Sequence, residues 1–398
     1  MTGLGVICAL GHNLAEVWCA LRAGRSGIGP IRSLDVSNLR FQNGAEVREY
    51  DTGKHFGSGA DLLDRFAQFA LISAREAVAD SGVTLTPELR ENTAVVSGSC
   101  VGGQSTQDAG FVELYRQERG RVHPLTIPRT MANAGASHIS VEFGTTGPAF
   151  TISTACSSAN HAIGQAFRMV RSGEVDLAIA GGSEAPFSMG LLKAWEAIRV
   201  IAPDTCRPFS RDRRGMILGE GGAMLVLEPL ERAEARGARI YGEIVGLGMS
   251  SDAGHITQPS VEGPARAMRA ALRDAQLHPE QVGYINAHGT GTPGNDPTET
   301  RAIREVFGAH ADRLAVSSTK SMHGHALGAA GALEAVATVM ALHQGLLPPT
   351  ANFIGPDPEC DLDIITHRAR AAQVECALSN SFAFGGLNAV LALRTHLR

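Results

Sequence analysis

Ala149-Phe150-Thr151-Ile152-Ser153-Thr154-Ala155-Cys156-Ser157-Ser158-Ala159 runs from a short β-type stretch, through hydroxyl side chains, into small helix-forming residues. A second stretch repeats that plan. Leu314 to Ser317 has strand character, Thr319-Lys320-Ser321-Met322-His323-Gly324-His325 makes the turn, and Ala326-Leu327-Gly328-Ala329-Ala330-Gly331-Ala332 begins another small-residue helix. Two such helices can pack side by side at the centre of a layered molecule, each preceded by reactive side chains. Outward from them, Val- and Ile-rich runs predict strands at Thr93 to Val96, Leu177 to Ala180, Ala223 to Leu227, Ile240 to Leu247, Val282 to Ala287 and Ala389 to Leu393. Helical stretches are expected at Leu62 to Ser81, Cys156 to Ser172, Pro264 to Ala275, Pro297 to Phe307 and Leu327 to Gln344. The pattern is α/β, with two similar halves placed at 1–236 and 237–398.

Composition narrows the function classes. The 398 residues are 44% hydrophobic and 19% charged, enough for a sizeable core and unlike a disordered chain. A net charge of -5 gives no support for a nucleic-acid partner. Seven cysteines (Cys8, Cys19, Cys100, Cys156, Cys206, Cys360 and Cys376) form no C-x-x-C pair and no even framework. They read as reduced thiols, at most one of which does chemistry. Met1-Thr2-Gly3-Leu4-Gly5 lacks the build of a signal peptide. The longest apolar run, Ala332 to Leu347, is interrupted by Glu334, His343 and Gln344, so no membrane insertion is expected. The expected setting is soluble and cytoplasmic.

Three groups of residues can carry chemistry. Cys156 stands where a strand gives way to a helix, where the helix dipole favours thiolate and free backbone N–H groups can receive an oxyanion; the plain alternative is an inert buried cysteine. His288 follows a strand directly, in the Gly- and Thr-rich loop Asn286-Ala287-His288-Gly289-Thr290-Gly291-Thr292-Pro293, as active-site residues of open sheets do; otherwise it is a structural loop histidine. Lys320, between a strand and a buried helix, needs a carboxylate, and Glu334 is a candidate. His323 is read as an exposed loop residue. Ser317-Ser318-Thr319-Lys320 fits S-x-x-K, but neither S-D-N nor K-T-G occurs. His288, His323 and His325 lack zinc-site spacing, so no metal is expected.

Together these stretches resemble the β-ketoacyl-acyl-carrier-protein synthase II family over nearly the whole chain. The likeness lies in Thr154-Ala155-Cys156-Ser157-Ser158, Ala180-Gly181-Gly182-Ser183-Glu184-Ala185, Gly219-Glu220-Gly221-Gly222-Ala223-Met224, Ala287 to Pro293, Ser317-Ser318-Thr319-Lys320-Ser321, Gly324-His325 and Phe382-Ala383-Phe384-Gly385-Gly386. The resemblance implies a thiolase-like αβαβα five-layered sandwich and a decarboxylative condensation with malonyl carrier protein. It implies that Cys156 carries the acyl group and that His288 and His325 donate hydrogen bonds to the malonyl thioester oxygen. The backbone N–H groups of Cys156 and Phe384 would form the oxyanion hole. Lys320 would organise His325 and pair with Glu334, Thr290 and Thr292 would bond the pantetheine arm, and Phe384 would gate the acyl pocket. No cofactor is implied beyond the phosphopantetheine arm of acyl carrier protein, which is the partner. Arg199 and Arg65 lie in stretches resembling the carrier-docking surface. A homodimer is expected, with a heterodimer containing a chain-length factor as the alternative.

The chain departs from the family in three places. Ala383 and Leu387 replace the usual Gly and Thr of the gating loop, and Ala is less permissive at unusual φ. Gln104-Ser105-Thr106-Gln107 stands where relatives are mostly apolar, so Gln107 is expected to line the acyl pocket and disfavour a long saturated tail. Relatives also carry a short strand before Thr2-Gly3-Leu4-Gly5, so the first strand is expected to be clipped. Besides primary fatty-acid elongation, a ketosynthase of a specialised polyketide or polyene pathway is open, nodulation-type included. A scaffold subunit or a degradative thiolase fits less well, because Cys156, His288 and His325 are all present.

Overall fold

Alternation of Val- and Ile-rich runs with Ala-rich helices builds two β-sheets that share one strand order. The structure is a computed structural model and describes residues 1–396. The first sheet holds β1 (Gly3–Cys8), β2 (Thr93–Gly98), β3 (Ala149–Ile152), β4 (Leu177–Glu184) and β5 (Gly221–Leu227), in the order β1-β5-β4-β2-β3. The second holds β6 (Glu243–Ser251), β7 (Val282–Asn286), β8 (Ala315–Ser317), β9 (Asp363–Ile364), β10 (Cys376–Ala383) and β11 (Leu387–Arg394), in the order β9-β8-β7-β10-β11-β6. Without β9 the two orders coincide. In the first sheet β2 runs parallel to β3 and β4, while β5 is antiparallel to β4 and β1. In the second, β7 runs parallel to β8 and β10, while β11 is antiparallel to β10 and β6. This is the structural form of the repeat read in the sequence.

Helices complete an αβαβα sandwich. These are α1 (Arg65–Ser81), α2 (Gln104–Phe111), α3 (Ser158–Arg171), α4 (Met189–Ile198), α5 (Glu262–Ala275), α6 (Asn295–Phe307) and α7 (Ala330–Gln344). Helix α1 covers the first sheet, α3 and α7 fill the space between the sheets, and α5 covers the second sheet with α6 against it. The central position of α7 follows from its sequence: every residue from Ala330 to Leu342 is buried, as suits a helix apolar on all sides. Its close approach to α3 needs small residues, since a Cβ on Gly331 would lie 2.5 Å from Asn160 Oδ1 and 3.0 Å from Ser381 Oγ. Asn160 Nδ2 donates to Ser379 O (3.1 Å) and Ala389 O (3.3 Å), tying α3 to two strands of the other half.

Several boundaries differ from expectation. The helix expected from Cys156 begins at Ser158, which leaves Cys156 in the turn. The strand expected from Ile240 to Leu247 runs later, Glu243–Ser251. Residues Gly3–Cys8 form β1 and pair with β5 over their full length, from Gly3↔Val226 to Cys8↔Gly221. The sheets are joined by the segment between Leu227 and Glu243, and Leu397 and Arg398 of the second half lie outside the described residues. Among the described residues no helix is long and apolar enough to cross a membrane. Gly331→Val should overpack the α3–α7 contact and cost about 1–3 kcal/mol, read as a lower denaturation midpoint; an unchanged midpoint would contradict this packing.

Candidate active site

The reactive residues gather where the sheets end because each sits in a turn that follows a strand: Cys156 after the edge strand β3, His288 after β7 and His325 after β8. After β3 the chain turns sharply through Ala155, whose φ of 50° is left-handed, a conformation costing a non-glycine residue roughly 1–2 kcal/mol. Ser158 holds the turn, its Oγ accepting from Thr154 N (2.9 Å) and donating to Ala155 O (2.6 Å). Cys156 is thereby presented to a cavity of about 240 Å³ that His288, His325, Thr290, Thr292 and Phe384 also line.

Burial decides the state of the thiol. It pushes Cys156 up to about 11, against the pull of Lys320 and of the backbone N–H groups of Phe384 and Cys156 itself. The expected gain in thiolate from the helix dipole is therefore overridden, since the thiol precedes the helix and is desolvated.

The two imidazoles are held in one tautomer by different partners. Lys320 Nζ donates to His288 O (2.7 Å) and meets His288 Nδ1 at 3.3 Å, which leaves the ring proton on Nε2. Leu327 N donates to His325 Nδ1 (3.2 Å), with the same consequence. Burial and the nearby Lys320 hold both histidines well below their ordinary value, so both are neutral donors at neutral pH. Their rings meet edge to face, with centroids 5.5 Å apart.

Lys320 and Glu334 are both fully buried and paired, as expected. Burial raises the Glu334 carboxyl and Lys320 pulls it back. The expectation that Lys320 organises His325 is corrected: its bonds go to His288 and Glu334. His323 is also corrected. It is buried, bonded to Gly324 O (2.8 Å) and Thr319 Oγ1 (3.0 Å), and burial lowers it to about 3.

The remaining expected residues divide. Thr290 and Thr292 face the cavity with their hydroxyls 2.9 Å apart. Phe384 stacks on Trp195, with centroids 6.0 Å apart. Ala383 and Leu387 are paired strand residues, and the left-handed positions of the loop are Gly385 and Gly386, so the Ala causes no strain there. Arg199 lies exposed at the cavity mouth. Arg65 is committed within the chain: it pairs in a fork with buried Glu220 (2.8 and 2.7 Å) and stacks over Phe69. Gln107 does not line the cavity; it lies on the exposed side of α2.

The sequence reading missed several supports. Glu299 on α6 accepts from His288 N and Gly289 N, both at 2.8 Å, and fixes the histidine loop. Glu184 accepts from Cys100 N (2.7 Å) and Gly328 N (3.1 Å), linking the end of β4 to the loop after His325. Asn388 Nδ2 donates to Asp252 Oδ1 (2.7 Å) and Gly385 N to Ile256 O (2.7 Å), which ties the Phe384 loop to residues 252–260. A buried acid on a helix was the available signal for Glu299; the others depend on long-range contacts. Among the described residues no cluster of three His, Cys, Asp or Glu side chains is placed to hold a metal.

Comparison with known proteins agrees with this geometry. A family profile described as "Beta-ketoacyl synthase, N-terminal domain" matches residues 1–233, and its C-terminal counterpart matches 241–354. The chain is 47% identical to nodulation protein E of Rhizobium sp. (strain N33), over 99% of this chain and 98% of that protein. It is 43% identical to 3-oxoacyl-[acyl-carrier-protein] synthase 2 of Synechocystis sp., over 100% of this chain and 97% of that one. Among solved structures, the ishigamide ketosynthase/chain length factor superposes with a TM-score of 0.95 at 38% identity, covering 100% of this chain and 98% of that chain.

Because the Cys156 thiol lies near 11, its alkylation by iodoacetamide should rise about tenfold per pH unit from pH ~7 to ~9, following the thiolate fraction. A plateau within that range would contradict the buried, protonated thiol.

Proposed function

The chain belongs to the β-ketoacyl synthase family, and from that membership we propose that its condensing chemistry runs through Cys156, His288 and His325. As a β-ketoacyl-acyl-carrier-protein synthase it is an acyltransferase. The cycle is ping-pong. The Cys156 sulfur takes the acyl group from a carrier-borne thioester, and the carrier thiol leaves with the proton. A malonyl thioester then enters, and its oxygen accepts hydrogen bonds from the Nε2–H groups of His288 and His325. Loss of carbon dioxide leaves an enolate stabilised by those two donors. The enolate carbon attacks the acyl-Cys156 carbonyl, whose oxygen is received by the N–H groups of Cys156 and Phe384. Collapse breaks the C–S bond, and the sulfur recovers a proton. No metal or dissociable cofactor enters; both substrates arrive on a phosphopantetheine arm along Thr290 and Thr292.

One observation carries this reading: two buried, neutral imidazoles, each with Nδ1 already accepting, line the same cavity as a buried thiol. Phe384 gates the acyl pocket, held by its stack on Trp195 and by the bond from Gly385 to Ile256. The partner is an acyl carrier protein, and the setting is the cytoplasm, in keeping with seven unpaired cysteines. The protein works as a two-fold dimer through the open edge of β3. That edge lies at the end of the first sheet, and Tyr115 (74%), Ile127 (74%) and Val141 (79%) leave large apolar side chains exposed in the same half.

A specialised acyl chain is the second reading. Gln107 no longer supports it, because that side chain does not line the cavity. What favours it is the 47% identity to a nodulation protein E and the close superposition on the ishigamide ketosynthase/chain length factor. A heterodimer with a chain-length factor belongs to this reading.

Intact-mass measurement after mixing with a panel of acyl carrier proteins tests both readings. One acyl adduct per chain, absent from Cys156→Ala, is the expected result, and the chain that loads fastest selects the pathway. Folded dimer, verified by light scattering, that forms no adduct with any chain would overturn the proposal in favour of a scaffold subunit.

A further inference from the structure

Among the described side chains lining the cavity, only Arg199 and Arg214 carry a permanent positive charge, and both are exposed at its mouth. The backbone sets them side by side. Arg199 ends α4 in the left-handed conformation, and Val200 follows it. Met216 N donates to Val200 O (2.9 Å) and Ala202 N to Met216 O (2.8 Å), so the chain after Arg199 runs alongside the chain after Arg214. Gly215 makes this approach possible: a Cβ there would lie 2.4 Å from Val200 O. Gly215 N also donates to Gly291 O (2.9 Å), which stands between Thr290 and Thr292. One path therefore leads from Cys156 past the histidines, along the two threonines, to the two guanidinium groups.

Those guanidinium groups are largely uncommitted. The Arg199 guanidinium makes no hydrogen bond or ion pair among the described residues; only its backbone N–H is bonded, to Glu196 O (3.2 Å). Arg214 is 61% exposed and meets only Asp204, at 3.5 Å, and that carboxylate lies closer to Arg207, at 2.9 Å. In a chain of net charge -5, one unpaired guanidinium and one weakly paired guanidinium at the mouth make a local anion site.

We propose that Arg214, with Arg199, forms a phosphate-ester subsite that receives the end of a pantetheine-borne thioester opposite to its sulfur. The inference rests on the reading of the cavity as a thioester site and adds the recognition of the arm's anionic end. With the sulfur at Cys156 and the arm along Thr290 and Thr292, the phosphate emerges at the mouth. A guanidinium fork suits its oxygens better than an ammonium does. The same phosphate occurs on a carrier protein and in coenzyme A.

The test is the rate of Cys156 acylation, followed by intact mass, in the full-length protein and in Arg199→Gln, Arg214→Gln and Arg214→Lys. The donors are one acyl group borne on pantetheine, phosphopantetheine, coenzyme A and acyl carrier protein. The parent should prefer phosphopantetheine over pantetheine by about tenfold in kcat/KM, the effect of one charge-assisted contact. That ratio should fall towards one in Arg214→Gln and be partly retained in Arg214→Lys. Loss of the coenzyme A rate alongside the carrier rate would assign the effect to the shared phosphate. A parent ratio near one, or a ratio unchanged by Arg214→Gln, would overturn the subsite. So would a loss confined to the carrier protein, which would place the arginines against the partner's protein surface. Failure of the parent to be acylated by any donor would instead strike at the thioester reading itself.

Discussion

A lysine with no solvent contact must have its charge answered inside the protein, and the active site is arranged around that requirement. Lys320 Nζ is surrounded by Glu334, the carbonyl of His288 and the Nδ1 of the same ring. One buried charge thus fixes the His288 loop, sets the tautomer of its imidazole and discourages its protonation. Taking either member of the pair away would leave the other charged and unpaired, a change that costs about 3–5 kcal/mol in buried ion pairs generally. The pair is therefore better understood as a device for specifying geometry than as a source of net stability.

The layered fold supplies the setting in which such a group can exist. Helix α7, which carries Glu334, is buried along nearly its whole length, and the turn bearing Lys320 leads into it. Helix α3, which follows Cys156, packs against it. The two halves thus contribute the nucleophile from one side and the imidazoles from the other, with Glu184 crossing between them to Gly328. The duplication is more than architectural, because the shared strand order brings two equivalent turns face to face. Full desolvation there protonates the thiol and keeps the histidines neutral through a single physical cause.

Much of this was legible in the sequence because it is local. A strand, a turn and a small-residue helix can be read from a dozen residues, and so can a histidine following a strand. The Lys320–Glu334 pair was also legible, since one acid in an otherwise apolar helix asks for a cation. Strand β10 was not among the expected strands: the polar Ser379, Asn380 and Ser381 interrupt its apolar pattern, yet all three are buried. Arg65 could not be placed because its partner, Glu220, lies 155 residues away. His323 looked like an exposed loop residue beside Gly324, and its burial follows only from the central position of the whole turn. The thiol was misjudged for a related reason, since a helix end is visible in sequence and complete desolvation is not.

The central claim is that both histidines are neutral and carry their proton on Nε2. Nitrogen NMR of protein labelled with 15N only at histidine measures this directly for His288 and His325 across pH ~5.5 to ~8, a range spanning the ordinary histidine value. Both rings should show an unprotonated Nδ1 and a protonated Nε2 with no titration over that range. A proton on Nδ1, or conversion of either ring to imidazolium near its ordinary value, would contradict it.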